Sequence, residues 1–589
     1  MTCHASPSDA CRMMPAHEIY DVIVVGAGAG GMTAAAVAAA EGLRVLVLEK
    51  TAFVGGTTAW SGGMVWIPAN AKMKEAGLSD SVADAVHYLS STVPEPGNAS
   101  LRAAFLARGP EAVAWLEVNT DVRLKPVKAC PDHYPERLSA TAGGRVLEPV
   151  AFDGTRLGKS FARLRAPLPE FTLFGGMMVN PLDSPHLRDA GKSLHSTLRA
   201  APLLLQYALQ RLRSARGTTL HLGNALAARL YASLLARRVE ILFSADVEDL
   251  SMQGDRVAGV VIRHGSRDRL IAARRGVVLA TGGFSHDAVL RKRFFPARAG
   301  SISAANTSAT GDGIRLAATA GAALNTDATS PAYWVPASLF RHADGSRGVF
   351  PHTVTDRAKP GVIAVNAAGR RFVNEALSYH EFVLGMLRDG QGEPDRPFYL
   401  ICDHAFLWAY GLGRIKPFTR SYRRYVASGE LIEAADIAQL ATKIGIKPSV
   451  LTATLASYNE GAKEGRDPEF GRGSTVYQRH LGDAGHKPNP CVAPITRAPL
   501  FALRIYPADL GTAIGLKVDA QARVLRADGS PIAGLYACGN DMGSIMNGNC
   551  PGPGITLGPA LTFGFIAGRH LAERTTTAAG AAKESVRLS

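Results

Sequence analysis

Tyr20-Asp21-Val22-Ile23-Val24-Val25 is a short, unbroken apolar run of mostly β-branched residues, the pattern of a parallel strand buried on both faces. It runs directly into Gly26-Ala27-Gly28-Ala29-Gly30-Gly31, after which the alanine-rich residues 32–41 read as a helix and 44–48 as a second strand. Two later runs end in the same way. Val277-Val278-Leu279-Ala280 stops at Thr281-Gly282-Gly283-Phe284, and Gly534-Leu535-Tyr536-Ala537 stops at Cys538-Gly539-Asn540. Ahead of the first of these, the periodicity predicts helices over 103–119 and 223–238 and a β-meander over 239–274. Residues 196–217 are apolar with interspersed arginines. We read them as a helix that buries its leucine face in the protein and solvates its arginines, although Pro202 interrupts a clean helical pattern. The alternative is a basic amphipathic helix lying on a membrane surface.

The first β-turn-α-β carries a phosphate-binding chemistry. In G-x-G-x-x-G, Gly26 makes the tight turn, Gly28 lets the backbone approach a pyrophosphate, and Gly31 lets the helix pack on the strand. The helix N-terminus then faces the phosphates. Glu49, at the end of the second strand, is placed to accept from ribose hydroxyls and would repel a 2′-phosphate, so the ligand is a dinucleotide without one. Phe53-Val54-Gly55-Gly56-Thr57-Thr58-Ala59-Trp60-Ser61-Gly62-Gly63 is a second Gly-, Ser- and Thr-rich loop, suited to wrap phosphates. A surface loop is the alternative reading, but with the two later small-residue turns three segments converge on one ligand.

Composition adds exclusions. The 589 residues are 47% hydrophobic and 20% charged, which excludes disorder and a disulfide miniprotein. The net charge of +15 comes mostly from scattered arginines without a recognition-helix or zinc-finger pattern, so nucleic acid is not an expected partner. The seven cysteines, Cys3, Cys11, Cys130, Cys402, Cys491, Cys538 and Cys550, show no C-x-x-C or iron–sulfur spacing. We expect reduced thiols, no metal and a cytoplasmic protein, at most peripheral to a membrane. Residues 1–18 lack an apolar signal-peptide core and read as a flexible extension, and 575–589 as a flexible tail.

These segments resemble the flavoprotein superfamily of soluble fumarate reductase, succinate dehydrogenase flavoprotein, L-aspartate oxidase and 3-ketosteroid dehydrogenases, from about Tyr20 to Leu571. The resemblance implies an α/β fold: a Rossmann-like FAD-binding domain with a mostly parallel sheet, interrupted by an inserted α+β capping domain. On that pattern residues 19–326 and 504–574 form the FAD domain and 327–503 the cap. Ser308-Ala309-Thr310-Gly311-Asp312-Gly313 resembles the family's T-G-D-G helix. The residues implied to hold FAD are Gly26, Gly28, Gly30, Gly31, Glu49 and Lys50; Gly56, Thr57, Thr58, Ser61, Gly62 and Gly63; Val247, beside the adenine; Ala280, Thr281 and Gly282; and Asn540, Thr556 and Leu557.

The reaction is chosen in the cap. The dicarboxylate enzymes carry His-Pro-Thr after the T-G-D-G helix and an arginine proton donor five residues after the Asn of R-F-V-N-E. Here those regions read Pro331-Ala332-Tyr333-Trp334-Val335-Pro336 and Arg371-Phe372-Val373-Asn374-Glu375-Ala376-Leu377-Ser378-Tyr379. Tyr379 stands where the arginine would, and a site for two carboxylates needs cations there. Aromatic positions argue for a bulky, weakly polar ring. The chain is more similar to the 3-ketosteroid and cyclic-ketone dehydrogenases, whose Y-P-G-P-G-x-T-x-G-P run reads here as Cys550-Pro551-Gly552-Pro553-Gly554-Ile555-Thr556-Leu557-Gly558-Pro559. That similarity implies Tyr379 as the base that removes the proton α to the ketone, its phenol acidified by neighbours, the Gly554 N–H as a donor to the carbonyl oxygen, flavin N5 as hydride acceptor, and an electron acceptor of unspecified identity. Two positions depart from it. Cys550 replaces the carbonyl-binding tyrosine, and His133 in Pro131-Asp132-His133-Tyr134 replaces the first tyrosine of P-D-Y-Y. His133 and Tyr134 are the candidates to make up the lost donor, with His133 also a candidate proton relay to Tyr379. A 3-ketosteroid Δ1-type dehydrogenation is the leading reading. A smaller cyclohexanone-type ring, the reverse enone or fumarate-type reduction, and a flavin-bearing binding protein are the alternatives.

Overall fold

A computed structural model describes residues 18–585, apart from 95–97, 181–182, 184–185, 188–189, 192, 266, 354–355 and 390–396. The apolar runs read from the sequence form one sheet. Strands Pro531–Ala537, Arg267–Leu279, Ile19–Val25, Val45–Glu49 and Glu240–Phe243 lie side by side in parallel, in that order. The meander strands Asp246–Gln253 and Arg256–His264 and the short Arg523–Leu525 join antiparallel at one side. The central strands are continuous hydrophobic runs because helices cover both faces. Helix Ala29–Ala40 is almost entirely alanine, glycine and valine, and this lets the last helix, Leu557–Ser585, approach closely. A Cβ at Gly564 would stand 2.5 Å from the Gly30 carbonyl oxygen, and one at Gly568 2.7 Å from Val37.

A second sheet is wholly antiparallel. Its order is Arg347–Pro351, Ala332–Arg341, Leu500–Thr512, Phe398–Asp403, Val362–Val365, with Leu431–Ala434 also paired to Leu500–Thr512. Helices such as Tyr379–Asp389 and Pro448–Ala462 flank it, and its core of Phe382, Phe398, Phe406 and Trp334 is separate from that of the first sheet.

Three sequence readings change. The boundary drawn at 503 falls inside one strand, because Leu500–Thr512 stays paired with Ala332–Arg341 as far as Ala332↔Thr512. The tail from 575 continues the last helix to Ser585, while residues 1–17 lie outside the described set. The helix expected around 196–217 forms as Leu194–Arg211 straight through Pro202, and it is the small face with Ser196, Ala200 and Tyr207 that is buried, not the leucines. Among the described residues no helix is long and apolar enough to cross a membrane.

Candidate active site

The glycine loop after the first strand divides into positions packed against backbone and positions facing open space. A Cβ at Gly26, whose φ is +106°, would stand 2.3 Å from the Ala280 carbonyl oxygen, and one at Gly31 2.1 Å from that of Gly26. These two glycines are required by packing. Around Gly28 a Cβ would meet nothing within 4 Å, and at Gly56 it would meet only the Gly28 Cα at 3.8 Å, so the two glycine loops face each other across a gap. Gly62, Gly282 and Gly539 are similarly open.

Hydrogen bonds draw the segments together. The Gly55 N–H donates to the Ala27 carbonyl (2.8 Å) and the Ala29 N–H to Thr58 Oγ1 (3.2 Å). Thr57 Oγ1 accepts from the Asn306 N–H, and Ser61 Oγ donates to the Thr58 carbonyl while accepting from the Gly63 N–H. A Cβ at Gly63 would stand 2.5 Å from the backbone at 222–223. Glu49 spans the turn, with Oε2 accepting from the Ala27 N–H and Oε1 from the N–H and hydroxyl of Thr51. Lys50 reaches Asp312 and Thr310 of the T-G-D-G helix, both at 2.6 Å. Val247 sits at a bulged pair with Ile262, just after Ala245 donates to the Glu49 carbonyl.

Asp541, not singled out in the sequence, is the hub of the far side. Its fully buried carboxylate accepts from the Thr281 N–H (2.5 Å) and hydroxyl (2.9 Å) and the Gly283 N–H (2.9 Å), fixing the Ala280-Thr281-Gly282 turn. Only the pairing of two distant strand ends reveals it. Beside it a cavity of about 290 Å³ is lined by Tyr333, Thr512, Asn540, Ser544 and Thr556, just before the last helix begins at Leu557. Thr512 Oγ1 and Asn306 Nδ2 are buried without a protein partner among the described residues. Open glycine surfaces, orphaned polar atoms and a cavity at the end of a parallel sheet fit an extended dinucleotide.

Next to this groove, four residues far apart in sequence meet. Tyr379 begins its helix with Cys550 Sγ 3.9 Å from its hydroxyl and the His133 ring edge-on at 5.6 Å; Tyr477 lies 4.9 Å from His133 on another side. Tyr379 is positioned from within the cap, because Arg371 grips Glu375 and Asp467 in a buried cluster, and Glu375 Oε1 also accepts from the Ala364 N–H. His133 is bonded to the C-terminal run: its N–H donates to the Pro551 carbonyl (2.9 Å) and its Nδ1–H to that of Cys550 (2.8 Å). Nδ1 therefore carries the proton, and Nε2 is a buried acceptor without a partner among the described residues. Burial pushes the His133 pKa down to about 4. His380 is the mirror case: its Nδ1 accepts from the Trp334 N–H (3.2 Å), leaving a buried, unpaired Nε2–H, and burial pushes it down to about 3. Sequence reading missed His380 because nothing local distinguishes it from any helix residue beside Tyr379.

Other expectations are revised. Burial pushes the Tyr379 phenol well above 10, followed by unfavourable interactions with Cys550 and Tyr477, rather than neighbours acidifying it. The Cys550 thiol is driven up to about 12 by burial, so it is neither a thiolate nor a strong donor. The Tyr134 hydroxyl donates to Glu381 (2.7 Å), two residues along the helix from Tyr379, so it braces the helix. Of the two cap aromatics, only Tyr333 lines the cavity, where it meets Ser544 Oγ; strand alternation turns Trp334 into the cap core. At Gly554, with φ +92°, a Cβ would stand 2.5 Å from the Met64 carbonyl oxygen, and its own carbonyl accepts from the Trp66 N–H.

A Rossmann-like sheet with paired glycine loops, capped by an antiparallel insert that brings a tyrosine to the groove, defines an FAD-dependent oxidoreductase. The chain belongs to the FAD binding domain family, whose model matches residues 21–557. It is 36% identical over 554 residues to the 4-oxocyclohex-2-ene-1-carboxylate 5-dehydrogenase of Sinomonas cyclohexanicum, covering 94% of this chain and 93% of that one. It is 35% identical over 567 residues to the 3-oxosteroid 1-dehydrogenase of Mycobacterium tuberculosis, covering 94% and 98%. Among solved structures, the 3-ketosteroid Δ1-dehydrogenase of Sterolibacterium denitrificans in complex with 1,4-androstadiene-3,17-dione superposes with a TM-score of 0.87 at 36% identity, over 95% of this chain and all of that one.

Proposed function

We propose that the protein introduces a C=C bond α,β to the ketone of a hydrophobic ring, with a 3-ketosteroid-like substrate and Tyr379 taking the α-proton. The observation that carries this reading is the buried meeting of Tyr379, His133 and Cys550 beside the dinucleotide groove. In the resting site Tyr379 is a neutral phenol and His133 a neutral imidazole with its Nε2 lone pair unspent. As the α-proton reaches the Tyr379 oxygen, we assign the hydroxyl's own proton to His133, whose ring lies edge-on at 5.6 Å and whose Nε2 lone pair is unspent. Oxyanion charge then develops on the ketone, and the Gly554 N–H and the His380 Nε2–H are the donors we assign to it. Bound FAD supplies the two-electron acceptor for the hydride leaving the β-carbon, and an electron acceptor then reoxidises it. The FAD-holding residues are those named from the resemblance, and the cap runs from about Asp327 to Thr512.

One feature separates neutral rings from ring carboxylates. Arg357 is the buried cation whose field reaches His133 and Tyr477, yet its Nε, Nη1 and Nη2 donate to the carbonyls of His352, Glu375, Leu377 and Thr353. A substrate carboxylate finds little left to bind there, which favours an uncharged ring.

The test is anaerobic mixing of the yellow holoenzyme with 4-androstene-3,17-dione, cyclohexanone, 4-oxocyclohexanecarboxylate or succinate, following flavin absorbance. Bleaching by the steroid, slowed about 10²–10⁴-fold in Tyr379→Phe with FAD retained, is the expected result. Bleaching by the carboxylate alone overturns the neutral-ring assignment, and no bleaching by any ketone overturns the dehydrogenase.

A further inference from the structure

Between Cys550 and Gly554 the chain forms neither helix nor strand, and Pro551 and Pro553 have no N–H to give, so this loop is aimed by what its carbonyls accept. The Cys550 carbonyl takes the His133 Nδ1–H at 2.8 Å, and the Pro551 carbonyl takes the His133 backbone N–H at 2.9 Å. The Pro551 carbonyl has a second donor, from a helix that no motif marks. The hydroxyl of Tyr88, on Val82–Thr92, donates to it at 2.6 Å across 463 residues of sequence. The same hydroxyl accepts from the Tyr134 N–H at 3.4 Å, so one phenol oxygen ties together the two segments that bring His133 and Gly554 to the site. Beneath them Asp132 is held by Arg145 Nη1 (2.8 Å) and by the Trp66 indole N–H (3.0 Å), and Arg145 in turn donates to Asp80. A Cβ on Gly552 would stand 2.7 Å from Trp66 Nε1, so the loop lies directly on that indole. Tyr88 is fully buried with the Arg145 guanidinium 5.1 Å from its ring, and burial keeps its phenol protonated.

We propose that Tyr88 is a positioning residue for the reaction: by holding the Pro551 carbonyl, its hydroxyl fixes the direction of the Gly554 N–H three residues on, and the place of the His133 ring bonded to the same loop. This role presupposes the ketone dehydrogenation proposed above. With prolines at 551 and 553 the peptides between them have little freedom, so a shift at the Pro551 carbonyl is passed on to Gly554 and not absorbed on the way. A donor to a developing oxyanion acts only where it meets the charge, and a displacement of about 1 Å costs about 10²-fold in rate. Removing the Tyr88 oxygen leaves its ring in place against Arg145 and leaves the Arg145–Asp132 pair intact. The loosened loop then binds the ring nearly as well and stabilises its enolate less.

The wild-type holoenzyme and Tyr88→Phe are compared by anaerobic flavin reduction with 4-androstene-3,17-dione, and by the carbonyl stretch of bound 1,4-androstadiene-3,17-dione in infrared difference spectra. We expect the limiting reduction rate to fall about 10–100-fold while the steroid dissociation constant changes less than about threefold. The stretch should move back toward its value for the free steroid, with FAD content unchanged. Tyr399→Phe is the control for lost stability: it removes a buried hydroxyl that donates to the Ile444 carbonyl (3.2 Å) in the cap, and should leave both readouts at their wild-type values. An unchanged rate and stretch in Tyr88→Phe, or a loss that falls wholly on the dissociation constant, overturns the positioning role and leaves the dehydrogenase standing. Loss of FAD from Tyr88→Phe assigns the hydroxyl to folding and overturns the role as well. A wild-type protein that no ketone bleaches overturns the role together with the reaction it serves.

Discussion

Lowering the pH from about 7.5 to about 5 tests the two neutral imidazoles of the site. His133 is held at about 4 and His380 at about 3 by burial, against 6.5 for an ordinary histidine. A depressed histidine contributes stability that is present above the unfolded value and is lost as the pH falls, because the unfolded chain takes up a proton that the fold refuses. At pH 5 the unfolded ring is almost fully protonated and the buried ring almost wholly neutral, so each costs about 2 kcal/mol relative to pH 7.5, or about 4 kcal/mol for the pair. The measurement is the urea midpoint of the holoenzyme, read by release of flavin fluorescence, across that range. A His133→Asn/His380→Asn variant should lose about 4 kcal/mol less than wild type between the two pH values, even if it starts less stable. An unchanged pH slope in the variant would refute the assignment of both rings as neutral and buried.

Two further outcomes follow from the nucleotide groove. Gly31→Ala places a Cβ 2.1 Å from the Gly26 carbonyl oxygen, so the first turn must move, and the purified protein should lose most of its FAD absorbance while keeping its far-ultraviolet circular dichroism. Asp541→Ala strands the Thr281 and Gly283 N–H groups without their acceptor, at about 1–3 kcal/mol each, so unfolding should occur about 2–6 kcal/mol earlier; a change below about 1 kcal/mol would remove Asp541 from its role as hub.

Much of the nucleotide half was legible in the chain because its determinants are local. A β-branched strand, a turn that tolerates no Cβ and an alanine-rich helix follow one another within about thirty residues, and each is dictated by backbone geometry. The identity of Tyr379 was legible too, since it sits a fixed distance beyond Arg371-Phe372-Val373-Asn374-Glu375. The protonation of that tyrosine was not. It depends on how completely Cys550, Tyr477 and His133, brought in from elsewhere in the chain, exclude water around it. The partner of Arg371 in Asp467 and the acceptor of the Thr281 turn in Asp541 were likewise invisible, because each pair is separated by about a hundred residues or more.

The helix Leu194–Arg211 shows the same division most sharply. Its sequence fixes an amphipathic stripe, because Leu194, Leu198, Leu205 and Leu209 at helical spacing fall on one side whatever surrounds them. Which side turns inward is a tertiary matter, decided by the fit of Ser196, Ala200 and Tyr207 against the turn at Phe174. By itself, then, the sequence determined a nucleotide-binding sheet, and through its resemblance to a known family it implied an inserted cap and the tyrosine at their junction. The tertiary structure alone decided which groups stay neutral, which cations are already spent and which apolar face stays exposed, because burial and long-range pairing are properties of the packed chain and not of any segment in it.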